Sequence, residues 1–264
     1  MDLSEFKNKI KEKEEKLLVV IDDKISSKKI TYSVSNEMTL WRAQTLFKKE
    51  PVTIKWIRSF EKNSIFYDVG ANVGMYSIFA AVVSKCNVYS FEPESNNFQI
   101  LMENIVVNNL TNLINPYPIG ISNVTELTTL HLSKFLKGGS HHTVGVNALS
   151  HRDLHTIKTK YNQGIFSTTL DDLCNKLKIP LPNYLKIDVD GIESKIVEKA
   201  NLFLKNQHLK SVLIEINQNR NEDKKIIKKM LEYGFIYDVK QVKSAERKSG
   251  MHKGYAEYLF FRNS

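Results

Sequence analysis

From Ser64 onward, short apolar runs alternate with amphipathic stretches, the texture of βαβ units that feed a parallel sheet. The runs predict strands near 64–69, 87–91, 113–119, 183–189 and 211–216, and helices over 73–84, 95–108, 192–205 and 222–233. Two further stretches, Ile236–Val242 and Tyr258–Arg262, read as an antiparallel finish. The count suits a doubly wound α/β sheet. Ahead of it, residues 1–24 alternate lysine and glutamate around Leu17–Ile21, the pattern of a charged helix leading into a short buried segment. Residues 36–62 carry Leu40, Trp41, Leu46, Phe47, Ile54, Trp56, Ile57 and Phe60, large apolar groups that need cover. The expected division is an extension, 1–62, packed on a domain of residues 63–264.

Between Lys134 and Gly164 the periodicity lapses. Glycines stand at 138, 139 and 145 and histidines at 141, 142, 151 and 155. Irregular insertions of this length in compact domains are functional lids or disordered segments, and a mobile lid is expected. No internal repeat is present.

Composition narrows the classes. Hydrophobic residues make up 42% and charged residues 25% of the 264, an ordinary globular balance. The longest apolar run, Ile78–Val83, is far short of the roughly 20 residues a membrane-spanning helix needs. The acidic start Met1–Glu5 lacks the apolar region of a secretory signal, so a cytoplasmic protein is expected. Cys86 and Cys174 stand far apart and form no metal or disulfide pattern; both are expected as buried thiols. The net charge of +9 suits an anionic partner, but no basic stretch is interleaved with aromatics as a stacking platform requires, so nucleic acid is not expected.

The chemistry concentrates in Phe66-Tyr67-Asp68-Val69-Gly70-Ala71-Asn72-Val73-Gly74, an apolar strand that enters a glycine turn and then a helix. Such a turn admits a ligand close to the backbone, and the helix N-terminus offers unpaired N–H groups to its polar end. The spacing Gly70-x-x-x-Gly74 is not the dinucleotide fingerprint, which argues against NAD. Glu92 ends the next strand, followed by Pro93, and an acid there can accept hydrogen bonds from both ribose hydroxyls of a nucleoside. Asp68, Gly70, Asn72, Gly74, Glu92 and Pro93 are therefore the expected cofactor residues. The bland alternative is a tight turn with a solvated Glu92.

The string Asp68–Gly74 followed by Phe91-Glu92-Pro93 resembles the opening of an FkbM-type methyltransferase. The likeness continues through Asn104, Asn108-Asn109, Thr169–Leu173 and Lys186–Glu193, covering roughly residues 64–217; Asp190 stands where the family commonly has glutamate. The resemblance implies a Rossmann-like class I methyltransferase fold with strand order 3-2-1-4-5-7-6, strand 7 antiparallel. It also implies S-adenosylmethionine as cofactor and an acceptor hydroxyl on a sugar or glycoconjugate. Other small molecules or a lipid head group are alternative acceptors, as is a module that binds cofactor without catalysis and meets nucleic acid through its basic surface.

Methyl transfer to a hydroxyl needs alignment and removal of a proton. Asp188, at the end of the 183–189 strand, is the first candidate base. His141 and His142, on the glycine-rich insertion, are the others, their alternative being solvated loop residues. Asp190 and Glu193 read better as a capping pair. Glu215 could face Asp188 across a crevice, which makes a divalent cation conceivable but not favoured. Trp41, Arg42 and Trp56 are candidates to line an acceptor site, with core packing the stronger reading for the tryptophans and exposure expected for Arg42.

Overall fold

The computed structural model describes residues 2–14, 17–140, 142–145, 159–250 and 252–262. Its centre is a seven-stranded sheet: β1 (Ile65–Val69), β2 (Asn87–Phe91), β3 (Ile114–Tyr117), β4 (Tyr184–Ile187), β5 (Ser211–Asn217), β6 (Ile236–Tyr237) and β7 (Tyr255–Phe261). The order is β3-β2-β1-β4-β5-β7-β6, with β7 antiparallel to both neighbours and the rest parallel. It is the strand order that the resemblance implies. Helices Met75–Val83, Ser95–Val107, Glu193–Glu198 and Asn221–Glu232 connect the strands, and apolar clusters form on both sheet faces.

Three expected elements differ. The helix 192–205 is split into Glu193–Glu198 and Asn201–Lys205. The apolar stretch from Ile236 pairs for only two residues, because Asp238 accepts from Lys240 N and starts a helix, Val239–Ala245. The Leu17–Ile21 segment is not buried. It is one strand of a hairpin, Leu17–Asp23 with Lys28–Val34, whose Leu17, Leu18 and Val20 face solvent.

The hairpin and the helices that follow are tied to the sheet layers by specific groups. Tyr32 donates its hydroxyl to Met75 O (3.1 Å), and Asn104 and Asn108 accept from Ser33 N (2.7 Å) and Thr31 N (3.0 Å). The buried Trp56 donates to Ser211 Oγ (2.8 Å) and meets Phe60, Phe66 and Tyr184 edge-on. Arg58 forks onto Asp23 (2.8 and 2.6 Å) while its guanidinium covers the Phe79 ring at 5.0 Å.

A second sheet of four strands, Gly120–Ile121, Glu126–Leu132, His142–Val144 and Tyr161–Thr168, lies beside the first. His142–Val144 and the start of Tyr161–Thr168 fall in the segment expected to be irregular; residues 146–158 lie outside the described residues.

The Asp23 carboxylate is held well below its usual range, chiefly by the hydrogen bonds from Arg58. Its contribution to stability is present above the unfolded-state pKa and is lost as pH falls through the lowered folded value. Arg58→Met is expected to cost about 3 kcal/mol at pH 7, because a buried carboxylate loses its partner, and less at pH 3, where that carboxylate can be protonated. Urea unfolding at the two pH values checks this.

Candidate active site

In this sheet the connections diverge between β1 and β4, so the crevice outside their carboxyl ends is the place where an α/β sheet receives a ligand. A cleft of about 460 Å³ opens there. Its floor is the passage of Gly70 past Asp188. Gly70 sits at φ +82°, and a Cβ placed on it would lie 1.9 Å from Asp188 O, so the two strand ends approach as closely as they do only because residue 70 has no side chain.

One half of the cleft lies at the end of β2. Glu92 is buried, and its two oxygens accept from Asn72 N (2.7 Å) and Glu94 N (2.8 Å). Burial pushes this carboxyl up to about 7 despite those bonds. Phe91, Ile121 and Pro93 supply apolar wall around it. Behind the wall, Asp68 donates nothing to the cleft surface: it is buried, accepts from Ser77 Oγ (2.6 Å), and its Oδ1 has no partner among the described residues. An acid with spare lone pairs beside apolar walls fits a ligand that carries hydroxyl donors on a flat apolar body.

The other half is charged. Lys186 in β4 is buried, with Nζ 2.7 Å from Asp188 Oδ2 and 5.0 Å from the centre of the Tyr76 ring. Burial alone would lower this ammonium, yet Asp188, Glu50 and Asp68 hold it above its ordinary value. Glu50, also buried, stays below its usual range because Lys49 and Lys186 outweigh desolvation. Beyond them Glu215 meets Arg247 (2.7 Å). Glu257, its cross-strand partner, is pushed up to about 8 by burial and by Glu50. Asp188 and Glu215 thus each face a cation. Among the described residues no three His, Cys, Asp or Glu side chains gather as metal ligands.

The roof comes from the second sheet and the turn before it. Leu130, His142 and Val144 look into the cleft. The turn is pinned rather than loose: Gly139 O accepts from Asn72 Nδ2 (2.7 Å) and Asn97 Nδ2 (3.1 Å), Gly138 O from Arg42 Nε (2.8 Å) and Lys137 O from Asn36 Nδ2 (2.9 Å). Gln163 clamps the far strand, donating to Pro93 O (2.6 Å) and accepting from Ser95 N (3.1 Å). The described residues of the expected lid are thus hydrogen-bonded to the loop after β1, to the helix after β2 and to the 36–62 segment.

The FkbM methyltransferase domain is matched over residues 68–237. The chain belongs to the FkbM methyltransferase family. As an FkbM methyltransferase it uses S-adenosylmethionine. It is similar to the hexuronic acid methyltransferase AglP of Haloferax volcanii, 24% identical over 186 residues, which is 70% of this chain and 70% of that protein. Among solved structures it is similar to a precorrin-6y C5,15-methyltransferase from Geobacter metallireducens (TM-score 0.47, 11% identity, 88% of this chain and 94% of that one). It is also similar to M. jannaschii TYW2 in complex with AdoMet (TM-score 0.47, 13% identity, 94% and 88%).

Within the FkbM fold, the expected residues divide. Gly70, Asn72, Glu92, Pro93, Asp188 and His142 share the cleft. His141 lies outside the described residues. Asp68 and Gly74, expected at the ligand, stand behind its wall; Gly74 is a left-handed N-cap whose missing side chain makes room for Leu101 Cδ1. Glu193 does not cap with Asp190; it turns back to accept from Val189 N and Gly191 N, both at 3.2 Å. Trp56 is core, but Trp41 lines the cleft and is 45% exposed. Of the thiols, Cys86 is buried and Cys174 half-buried.

Sequence reading missed Lys186, Lys49, Tyr76 and Arg247. A lysine inside the apolar run Tyr184–Ile187 was the available signal, since a charge in a buried strand requires partners.

Gly70→Ala is expected to cost about 3 kcal/mol or more, through strain at positive φ and collision with the β4 backbone, and to open the cleft floor. Thermal unfolding, together with loss of S-adenosylmethionine binding in the fraction that remains folded, checks it.

Proposed function

We propose that this methyltransferase transfers the methyl group to an oxygen of a sugar or glycoconjugate, the acceptor being bound between the 36–62 helices and the second sheet. The observation that carries the reading is a cleft with two unlike halves, an acid with apolar walls at Glu92 and a charged half at Asp188, meeting over the Gly70–Asp188 crossing. The resemblance to a hexuronic acid methyltransferase supports the sugar class.

S-adenosylmethionine supplies a methyl group on a positively charged sulfur, ready for in-line displacement. Glu92 takes the ribose hydroxyls as acceptor, while Gly70 and Asn72 bring backbone against the ligand. Asp188 is the catalytic base: it accepts the proton of the acceptor hydroxyl as the new O–C bond forms. Lys186 holds one Asp188 oxygen and so fixes the carboxylate's orientation. The pinned turn 137–140 and the His142 strand exclude water above. His142 contacts the acceptor from the roof.

Because hydroxyls donate to the ionised form of Glu92, and this carboxyl sits at about 7, affinity for S-adenosylmethionine is expected to be highest above pH 7. It should weaken below, approaching tenfold per unit. Glu92→Ala should weaken binding by about 1.5–3 kcal/mol. Calorimetric titration between pH 6 and 8.5 reads both, and a dissociation constant flat across that range removes Glu92 from the ribose.

Asp188→Asn is expected to lower single-turnover methyl transfer about 100-fold or more while changing cofactor affinity far less. The acceptor class is tested by labelled methyl transfer to neutral sugars, uronic acids, phenols, protein and nucleic acid. Label in saccharide that survives mild alkali identifies a hydroxyl; label released by alkali identifies a carboxylate. Label appearing only in protein or nucleic acid overturns the proposal.

A further inference from the structure

We propose that the wall built by residues 38–49 is a second saccharide subsite, so that the acceptor is a chain of sugars rather than a free one; this rests on the proposed sugar-directed function. Met38, Trp41, Arg42, Thr45, Leu46 and Lys49 line the cleft. Their spacing is i, i+3, i+4, i+7, i+8 and i+11, one continuous helical face. The helix Glu37–Gln44 passes into Leu46–Lys49 without losing that face, since Thr45 N bonds to Trp41 O and Lys49 N to Thr45 O.

The two ends of this wall differ. At one end Lys49 binds Glu50, which shares the electrostatic surroundings of Lys186 and Asp188. Trp41 stands eight residues earlier, about 12 Å from Lys49 along the axis, farther than a single sugar ring is wide. A ring held for methylation at the Lys49 end of the wall therefore leaves Trp41 to a neighbouring ring.

The chemistry of the wall suits that neighbour. Trp41 leaves 45% of its surface exposed where Trp56, in the same extension, is 4% exposed. Its indole offers a flat apolar face of the kind that meets the C–H face of a pyranose. Arg42 beside it is held by Nε on Gly138 O, which fixes the plane of the guanidinium, and its terminal amino groups have no partner among the described residues. A fixed fork next to an aromatic plate can take a hydroxyl pair or a carboxylate on the stacked ring.

The test uses the full chain with glucuronic acid and its β-linked tetramer. Wild-type protein is expected to show kcat/KM about tenfold higher for the tetramer than for the monomer, and Trp41→Ala is expected to bring that ratio close to one. Cofactor binding in the same samples reports folding. A wild-type ratio of one, or a ratio that survives Trp41→Ala, overturns the subsite. Fluorescence provides an arm independent of turnover. With Trp56 buried, acrylamide quenches Trp41 preferentially, and the tetramer is expected to protect it more than the monomer does. If no saccharide is methylated the proposed function fails, and this protection still decides the subsite: its presence upholds the second ring site and its absence overturns it.

Discussion

The charged half of the cleft depends on one buried ammonium. Lys186 enters the sheet in a strand whose neighbours Tyr184, Leu185 and Ile187 are apolar, and its charge is stable there because Asp188, Glu50 and Asp68 surround it. Those acids come from different places: the end of β4, the helix junction at residue 50 and the middle of β1. Each would be costly to bury alone. Gathered around Lys186, they fasten the helices of residues 46–58 over the sheet edge and orient the Asp188 carboxylate toward the cleft. Glu257, which accepts from Thr53 Oγ1 (2.5 Å) and is pushed up to about 8 by burial, extends the same layer to β7.

The roof is secured by a different device. Side chains of Asn36, Arg42, Asn72 and Asn97 converge on peptide groups of residues 137–139. A glycine pair is useful here because its carbonyls are accessible to several donors; at Gly138 (φ +77°) a side chain would also press on Met38 and Thr39. The turn thereby joins the motif loop after β1, the helix after β2 and the extension. Asn72 serves both ends, its backbone N–H donating to Glu92 and its side chain to the roof, so that the roof and the acid at the end of β2 share one support.

The parallel strands, the motif loop and Glu92 were readable from the chain because they are local: alternation, a glycine turn and an acid at a strand end leave their mark within a few residues. The placing of Gly70 and Asn72 at the cleft followed from the same pattern. Elsewhere local pattern misled. The exposed hairpin around Leu17–Val20 looked like core, since apolar residues in a short run do not state whether anything covers them. The segment after Lys134 looked irregular, because strands His142–Val144 and Tyr161–Thr168 obtain their pairing from Glu126–Leu132, which is distant from them in sequence.

By itself the sequence determined the fold class, the family and the strand ends that border the cleft, all consequences of short-range periodicity and of residues that satisfy local backbone needs. Tertiary structure alone decided which charges face one another. That Lys186 is surrounded by Glu50 and Asp68 as well as Asp188, that Glu215 meets Arg247, and that Trp41 opens on the cleft while Trp56 closes the core depend on contacts between residues far apart in the chain. Pairing of buried charge is a long-range condition, set when separate elements desolvate one another, and no local spacing encodes it.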